Sequence, residues 1–230
     1  MMASLPPSAA YDLQLTHLGG YYESYDMDYN VPLAKRFYDK GYRIYLDYHF
    51  SDYWADPSKQ WAPEDWPTEL EPLSETLRQY VSSTMERFAD AGVDLSIVSL
   101  GNEIRPGMLW PQGQVDVNIE PESARIANFT NLATLYSAAR QGVSDAVANG
   151  VHKPEVMIHI DNGWDLTLQE RWFSALTGTG KVHRRDWDLF GFSFYPFYGT
   201  SATLANLKKT LNAIAREYKK PVHVVRAIQN

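Results

Sequence analysis

The chain has 230 residues, of which 44% are hydrophobic, and it carries a formal net charge of -7. This composition is typical of one globular domain and excludes a disordered polymer. The negative charge and the lack of a Lys and Arg cluster argue against a nucleic-acid surface, because phosphate contacts need such clusters. Without cysteine, disulfides and thiolate metal sites are excluded, while the cellular compartment stays open.

The sequence shows neither a secretory signal nor a membrane span. The first residues, MMASLPPSAA, lack the basic region and the apolar run of a signal peptide. No stretch approaches the ~18 apolar residues of a membrane-spanning helix. We therefore expect a chain without a membrane partner.

Helical and strand patterns alternate through the first half of the chain. VPLAKRFYDK (31–40) is predicted as a helix with Asn30 as its N-cap and Gly41 as its stop. The first clear strand is YRIYLDYHF, and the 45 or so residues before it contain no convincing apolar strand. A helix over about 68–90 then leads to the strand LSIVSL.

The second half repeats this alternation. Apolar residues at three- and four-residue steps predict one long helix over 122–149, followed by the strand EVMIHI. A short helix near 168–176 precedes DLFGFSF, and a helix over about 204–218 precedes PVHVV. Continuously apolar strands separated by helices indicate a parallel sheet that is covered on both faces.

Such a sheet is either an open, doubly wound sheet or a (β/α)8 barrel. Four strands end in polar or aromatic groups, in YLDYHFSD, SLGNE, IHIDNG and GFSFYPF. A barrel brings all such ends to one face, whereas an open nucleotide-binding sheet more often shows a glycine-rich phosphate turn, and none is visible. We predict the α/β fold class of the (β/α)8 TIM barrel family. About five recognisable parallel strands cannot close a barrel, so we expect an incomplete barrel with unpaired edges.

Asn102 and Glu103 directly follow the strand LSIVSL. A carboxyl group that is partly buried at the mouth of a sheet retains its proton more readily than one in water, which suits a general acid. Asn102 is suited to hydrogen-bond a substrate hydroxyl. The structural alternative is that Glu103 caps a following helix or pairs with Arg105.

Two further strand ends carry an aspartate and a histidine two residues apart. Asp47 and His49 lie on one side of the first clear strand, and His159 and Asp161 repeat the spacing later. These groups fit a metal pair, a structural hydrogen bond or ligand contacts. No concentrated metal-binding motif accompanies them.

Aromatic residues lie just beyond the strand ends. Exposed rings among Asp, Asn and His side chains are what sugar rings require, because C–H faces stack on aromatics while hydroxyls need polar partners. A polysaccharide also fits the expectation of a neutral partner. The aromatic residues concerned are Trp54, Trp61, Trp110, Trp164 and Tyr195.

Four motifs in order carry a family resemblance: YLDYHFSDYWADPSKQ, LGNEIRPGMLWPQG, IHIDNGW and FGFSFYPFYGTSATLANLK. Together they resemble the fungal-type endo-β-1,4-galactanases of glycoside hydrolase family 53. The resemblance runs from about residue 25 to residue 225. It implies a (β/α)8 barrel that cleaves β-1,4-galactan in pectic arabinogalactan by a retaining mechanism with two glutamates.

The resemblance also assigns roles. It implies that Glu103 is the acid/base and that the enzyme works outside the cell, as a monomer if the complete domain folds, with no cofactor and no metal. The residues that it places along the substrate groove are Asp47, His49, Trp54, Asn102, Trp110, His159, Asp161 and Tyr195.

One position departs from the family pattern. Where the family has the nucleophilic Glu after its penultimate strand, PVHVV is followed by Arg226. Residues 1–24 match nothing in the motifs, so 1–24 is treated as an unmatched segment and 25–230 as a partial catalytic domain, with apparent truncation at both ends. We expect a chain of galactanase type that is insoluble or inactive as written. The alternatives are a non-catalytic galactan-binding remnant and a metal-dependent barrel hydrolase.

Overall fold

The computed structural model describes residues 10–16, 26–197, 199 and 201–227. Each strand of the main sheet after the first follows a helix. In chain order the elements are β1 (Ala10–Thr16), α1 (Met27–Tyr38), β2 (Arg43–His49), α2 (Leu70–Asp90), β3 (Leu95–Ser99), β4 (Gly107–Met108), β5 (Gly113–Gln114), α3 (Glu122–Asn128), α4 (Thr130–Ala148), β6 (Glu155–Ile160), α5 (Leu166–Gly178), β7 (Leu189–Phe194), α6 (Leu204–Tyr218) and β8 (Val222–Ala227).

Six strands form one parallel sheet in the order β1-β2-β3-β6-β7-β8. The five predicted strands are all present, and their parallel pairing confirms the α/β prediction. β4 and β5 form a separate antiparallel pair in the long loop after β3. Within the described residues, no helix combines the length and the apolar character needed to cross a membrane.

The sheet curls strongly from β2 to β8. Four strand spacings separate these two strands, which would put them about 19 Å apart in a flat sheet. However, Nη2 of Arg226 on β8 lies 3.0 Å from Oδ2 of Asp47 on β2. Their inner faces must therefore turn toward each other, as they do in part of a barrel.

The concave face of the sheet carries an apolar layer beneath a polar one. Tyr45, Ile97, Met157 and Leu189, from four strands, form a small buried cluster against which Val225 packs. Because side chains alternate along a strand, the residues two positions later share this face at its carboxyl end. The polar layer therefore contains Asp47, Ser99 and His159.

The larger core lies between the convex face of the sheet and the helices. α2 contributes Leu77, Val81 and Met85, all without exposed surface, and α4 packs directly beside it. Gly142 of α4 permits this close approach, since a Cβ there would lie 2.4 Å from the backbone oxygen of Arg78. This core holds the strands in register and so fixes the positions of their carboxyl ends.

Three details differ from the sequence prediction. β1 lies within the segment 1–24, where no strand was predicted, and it pairs with β2. α1 begins earlier than predicted, because Asp26 caps it by accepting from the Tyr29 N–H at 2.8 Å. Asn30 is not the N-cap but lies inside the helix, where its Nδ2 donates to the Gln14 carbonyl at 3.0 Å.

The long predicted helix over 122–149 is two helices. α3 ends at Asn128 and α4 begins at Thr130, with Phe129 between them. Phe129 has no exposed surface and packs edge-on against the ring of Trp172. The apolar spacing continues across this junction, which explains why the sequence pattern predicted a single helix.

Substitution of Gly142 tests the α2–α4 contact. In a helix interior, a Gly→Ala substitution normally raises the free energy of unfolding by about 1 kcal/mol. At Gly142 we expect Gly142→Ala instead to lower the free energy of unfolding by about 1–3 kcal/mol, because the added methyl would overlap the α2 backbone. Urea denaturation measures the change.

The matched control for this substitution is Gln141→Ala on the exposed side of the same helix. It should stay within about 0.5 kcal/mol of the unsubstituted chain. A stabilised Gly142→Ala variant would show that α2 and α4 are not in close contact.

Candidate active site

The carboxyl ends of the strands surround a cleft of about 690 Å³. Side chains from β3, β6, β7 and β8, or from the loops that follow them, meet here with the loop after β2. The lining residues are Trp54, Asp56, Pro57, Ser58, Glu103, Arg105, Asp161, Asn162, Trp164, Tyr195, Phe197 and Arg226.

Glu103 lies in the cleft at the turn that follows β3. Only 5% of the residue is exposed. Its backbone φ is +50°, a left-handed conformation that costs energy for a residue with a side chain. The Tyr195 hydroxyl donates to Oε1 of Glu103 at 3.4 Å. Burial and the nearby Glu103 raise the pKa of Tyr195, so its hydroxyl keeps the proton that it donates.

Hydrogen bonds from the loop after β2 hold this turn in place. Nε2 of the buried Gln60 donates to the carbonyl of Asn102 at 2.8 Å and approaches that of Glu103 at 3.5 Å. The side-chain Nδ2 of Asn102 donates to the Ala55 carbonyl at 2.8 Å. The backbone N–H of Trp110 donates to the Gln60 carbonyl at 2.7 Å. The two loops thus fix the strained backbone that carries Glu103.

A buried carboxylate lies beneath the cleft. Asp47 has no exposed surface, and its Oδ2 is 3.0 Å from Nη2 of Arg226 and 3.6 Å from Nδ1 of His159. Nε2 of His159 in turn lies 2.9 Å from the Ser193 hydroxyl. His49 is also close, with Nε2 3.9 Å from the same carboxylate oxygen. β2, β6, β7 and β8 are therefore joined through one buried polar group.

The charges of this group are set by competition between burial and neighbours. Burial acts to raise the pKa of Asp47, but His159, His49 and Arg226 outweigh it and lower the pKa. Burial, with further contributions from Arg226 and His159, lowers the pKa of His49 to about 4, against the opposing influence of Asp47. At neutral pH, His49 is therefore neutral beside a charged Asp47.

A second ion pair lies on the wall of the cleft. Nε of Arg105 lies 2.8 Å and 3.1 Å from the two carboxylate oxygens of Asp161. Burial raises the pKa of Asp161 to about 6, and nearby Glu103 acts in the same direction, while Arg105 opposes both. The structural alternative predicted that Arg105 pairs with Glu103. Arg105 pairs with Asp161 instead.

With one exception, the predicted site residues fall into two groups. Five of them line the cleft: Trp54, Glu103, Asp161, Tyr195 and Arg226. Four others lie beneath it with at most 1% of their surface exposed: Asp47, His49, Asn102 and His159. The remaining one, Trp110, packs edge-on against Trp61, and its Nε1 donates to the Pro106 carbonyl at 2.9 Å.

From the sequence, Arg105 and Asn162 had no role in substrate binding, although both line the cleft. They occur within the quoted motifs LGNEIRPGMLWPQG and IHIDNGW, so their proximity to strand ends was the available signal. Trp164, predicted among the aromatic residues that suit a sugar, also lines the cleft. Gln60 had no signal, because its role depends on contact between two loops. Within the described ranges, no group of three or more His, Asp or Glu side chains is arranged to hold a metal ion.

The pH dependence of stability tests the buried charges. Asp161, raised from 3.8 to about 6, contributes stability that is present below pH 3.8 and lost as pH rises through 6. We therefore expect the free energy of unfolding of Asp161→Asn, relative to that of the unsubstituted chain, to rise by about 2 kcal/mol between pH 4 and pH 7. Chemical denaturation across this range measures the difference.

His49 should change stability with pH in the opposite direction. Its pKa is lowered from 6.5 to about 4, so its contribution is present above pH 6.5 and lost as pH falls through 4. The unsubstituted chain should therefore gain stability from His49 as pH rises from 4 to 7. His49→Gln lacks this gain, so its free energy of unfolding should fall relative to that of the unsubstituted chain. Asp90→Asn on the exposed face of α2 is the control, with a difference below about 0.5 kcal/mol throughout. Differences that do not change with pH would contradict these assignments.

The contact between the two loops gives another prediction. Gln60→Leu removes the donor to the Asn102 carbonyl, and we expect it to lower the free energy of unfolding by about 1–3 kcal/mol, because a buried acceptor loses its partner. Gln112→Leu is the matched control, since Nε2 of Gln112 donates to the Thr68 carbonyl at 2.7 Å on the surface. Thermal or urea unfolding of both variants provides the comparison, and equal losses would refute the special role of Gln60.

Comparison with known proteins is consistent with this geometry. The chain is 41% identical over 202 residues to an arabinogalactan endo-beta-1,4-galactanase of Humicola insolens, an alignment that covers 88% of this chain and 57% of that protein. A probable arabinogalactan endo-beta-1,4-galactanase A of Aspergillus tubingensis is 42% identical over 203 residues, covering 88% and 54%. This chain thus spans little more than half the length of these curated relatives.

Solved structures show the same fold. A structure described as one of two fungal beta-1,4-galactanases matches with a TM-score of 0.85 and 37% identity over 95% of this chain and 62% of that one. The GH53 catalytic domain of Ignisphaera aggregans, at 24% identity and a TM-score of 0.78, shares the fold over 94% and 56%. These matches confirm the incomplete TIM barrel. The family model for glycosyl hydrolase family 53 matches residues 9–228, which include all six strands of the curled sheet, and the chain therefore belongs to this family.

Proposed function

We propose that the cleft is the substrate site of a galactanase that acts on β-1,4-galactan in pectic arabinogalactan. The names of the curated relatives and the polar, aromatic-lined cleft support this substrate class. Glu103 is the proton donor to the glycosidic oxygen. The substrate is an extracellular polysaccharide, so the site of action is outside the cell, and the proposed chemistry uses carboxyl groups without a cofactor.

The retaining reaction requires a second carboxylate. One carboxyl group protonates the leaving oxygen, while the other, about 5–5.5 Å away, attacks the anomeric carbon and forms a glycosyl intermediate that water then hydrolyses. From the family resemblance we expect this nucleophile at position 226, which is arginine in this chain. A guanidinium cannot form that intermediate, and we propose that the chain as given binds galactan without cleaving it.

The observation that carries this proposal is the position of Arg226. It lines the cleft together with Glu103, and its Nη2 donates to Asp47 at 3.0 Å. A register shift between β7 and β8 lies beside it, where Phe192 pairs with Val224 but Ser193 pairs with Arg226. Bulges of this kind often re-aim a side chain beside an active site.

The other acidic residues of the cleft are engaged elsewhere. Asp161 is paired with Arg105. Asp56 accepts from the Ser58 backbone N–H at 2.7 Å and from its hydroxyl at 2.6 Å, and it lies 3.4 Å from Nζ of Lys59. Because both carboxylates are held by these neighbouring groups, neither replaces the nucleophile. Among the described residues, no cluster of His, Asp or Glu side chains supports a metal-dependent reaction.

The test combines binding and hydrolysis. Calorimetry with β-1,4-galactotetraose should show binding to the unsubstituted chain, while a reducing-end assay shows no cleavage. Arg226→Glu should restore hydrolysis to at least about 100-fold above Arg226→Gln, because the loss of one member of a catalytic unit costs most of the rate. Adding Glu103→Gln to Arg226→Glu should abolish the gain.

The controls separate chemistry from folding. Arg226→Gln also removes the cation next to Asp47, so it reports the structural cost without supplying a carboxylate. Galactan cleavage by the unsubstituted chain would disprove the role given to Arg226. So would a folded, galactotetraose-binding Arg226→Glu variant with no more activity than Arg226→Gln.

A further inference from the structure

Asn128, Phe129 and Thr130 form the pattern Asn-X-Thr at the junction of α3 and α4. This pattern, with any residue except proline in the middle, is the acceptor sequence for N-linked glycosylation in proteins that enter the secretory pathway. No other asparagine in the sequence has Ser or Thr two positions after it. Asn128 is not among the residues that line the cleft, so this pattern belongs to a different surface.

The side chain of Asn128 is held through its oxygen. Oδ1 accepts from the backbone N–H of Asp116 at 2.8 Å. Nδ2, the atom to which a glycan is attached, donates no hydrogen bond to any residue in the described part of the chain. It is also absent from the buried polar atoms that lack a partner there. An amide nitrogen that is neither hydrogen-bonded nor buried faces the solvent.

The surface around Asn128 is open. Ala124 and Ala127 on α3 are exposed, and Asn128 and Thr130 are partly exposed. Phe129 between them has no exposed surface. It anchors the junction in the core, while the two polar residues of the pattern stay at the surface.

We propose that Asn128 is a site of N-linked glycosylation, which carries an oligosaccharide that begins with N-acetylglucosamine. The proposal rests on the extracellular site of action in the proposed function, since only chains that enter the secretory pathway meet the transferring enzyme. The oligosaccharide comes from a lipid diphosphate. A bond forms between Nδ2 and C1 of the first sugar while the bond from C1 to the diphosphate breaks. The lipid diphosphate leaves, and one of the two Nδ2 protons is released.

The fold decides whether such a glycan can be kept. Transfer to the chain before it folds is not hindered by the later burial of Phe129. A glycan on a buried or hydrogen-bonded nitrogen would cost the folded chain packing or a hydrogen bond. At Asn128 neither is lost, because Oδ1 remains an acceptor for the Asp116 N–H after Nδ2 is substituted. The folded chain should therefore keep both the glycan and its cleft.

Expression of the full chain in yeast behind an added signal peptide tests the site. Mass spectrometry of cell extract and medium should show a hexose-bearing chain, in which peptide N-glycosidase F converts Asn128 to Asp. Thr130→Ala should abolish the modification without changing Asn128 or its hydrogen bond. Thr130→Ser keeps the hydroxyl and should retain it. Asn131→Gln, next to the pattern but outside it, is the matched control and should be glycosylated like the unsubstituted chain.

Removal of the signal peptide shows that the chain entered the secretory pathway, whether or not it is then secreted. An unmodified Asn128 in such a chain would overturn the proposal, as would a glycan that persists in Thr130→Ala. Calorimetry with β-1,4-galactotetraose should give the same Kd for the glycosylated chain and for Thr130→Ala. Weaker binding by the glycosylated chain alone would refute the placement of the glycan away from the cleft. A glycan at Asn128 in a chain that binds no galactotetraose would support this site and refute the proposed function.

Discussion

The buried charge of Asp47 is the constraint on which the arrangement of the site depends. Removing a carboxylate from water is costly unless cations and hydrogen bonds compensate for it. Here the compensation comes from Arg226 and His159, each on a different strand, with His49 close by on β2. Because Arg226 extends from β8 to Asp47 on β2, this compensation depends on the curl of the sheet, and the floor of the cleft depends on both.

Glu103 lies above this floor on a backbone that would not hold its conformation alone. The loop after β2 supplies the restraint through Gln60, while Tyr195 contacts the carboxyl group itself. Under the proposed function, Arg226 has two effects that oppose each other. As a cation beside Asp47 it favours the folded arrangement, and as a replacement for a carboxylate it removes the nucleophile. On that proposal, the chain keeps the surface that recognises the glycan and loses the chemistry that cleaves it.

Much of the fold could be predicted because buried parallel strands are continuously apolar and the helices between them keep a regular apolar spacing. β1 was missed because AYDLQLT alternates polar with apolar residues, unlike the continuously apolar buried strands. For the site, Glu103, Asp161 and Tyr195, which were selected because they lie at strand ends, line the cleft. Periodicity gives the face of a side chain but not its depth, so it did not show that Asp47 and His159 are fully buried. Which sides Asn162 and Arg105 face was not predictable, because Asn162 itself has a positive φ and Arg105 closely follows Glu103, which also has one, and the two-residue period is lost there.

A crystal structure of the chain soaked with β-1,4-galactotetraose would show where the glycan lies relative to Glu103 and Arg226. We expect an uncleaved oligosaccharide in the cleft, with a glycosidic oxygen within hydrogen-bonding distance of Glu103 and the anomeric carbon of that linkage facing Arg226. Cleaved sugar in the cleft, or an intact oligosaccharide bound away from Glu103, would contradict it.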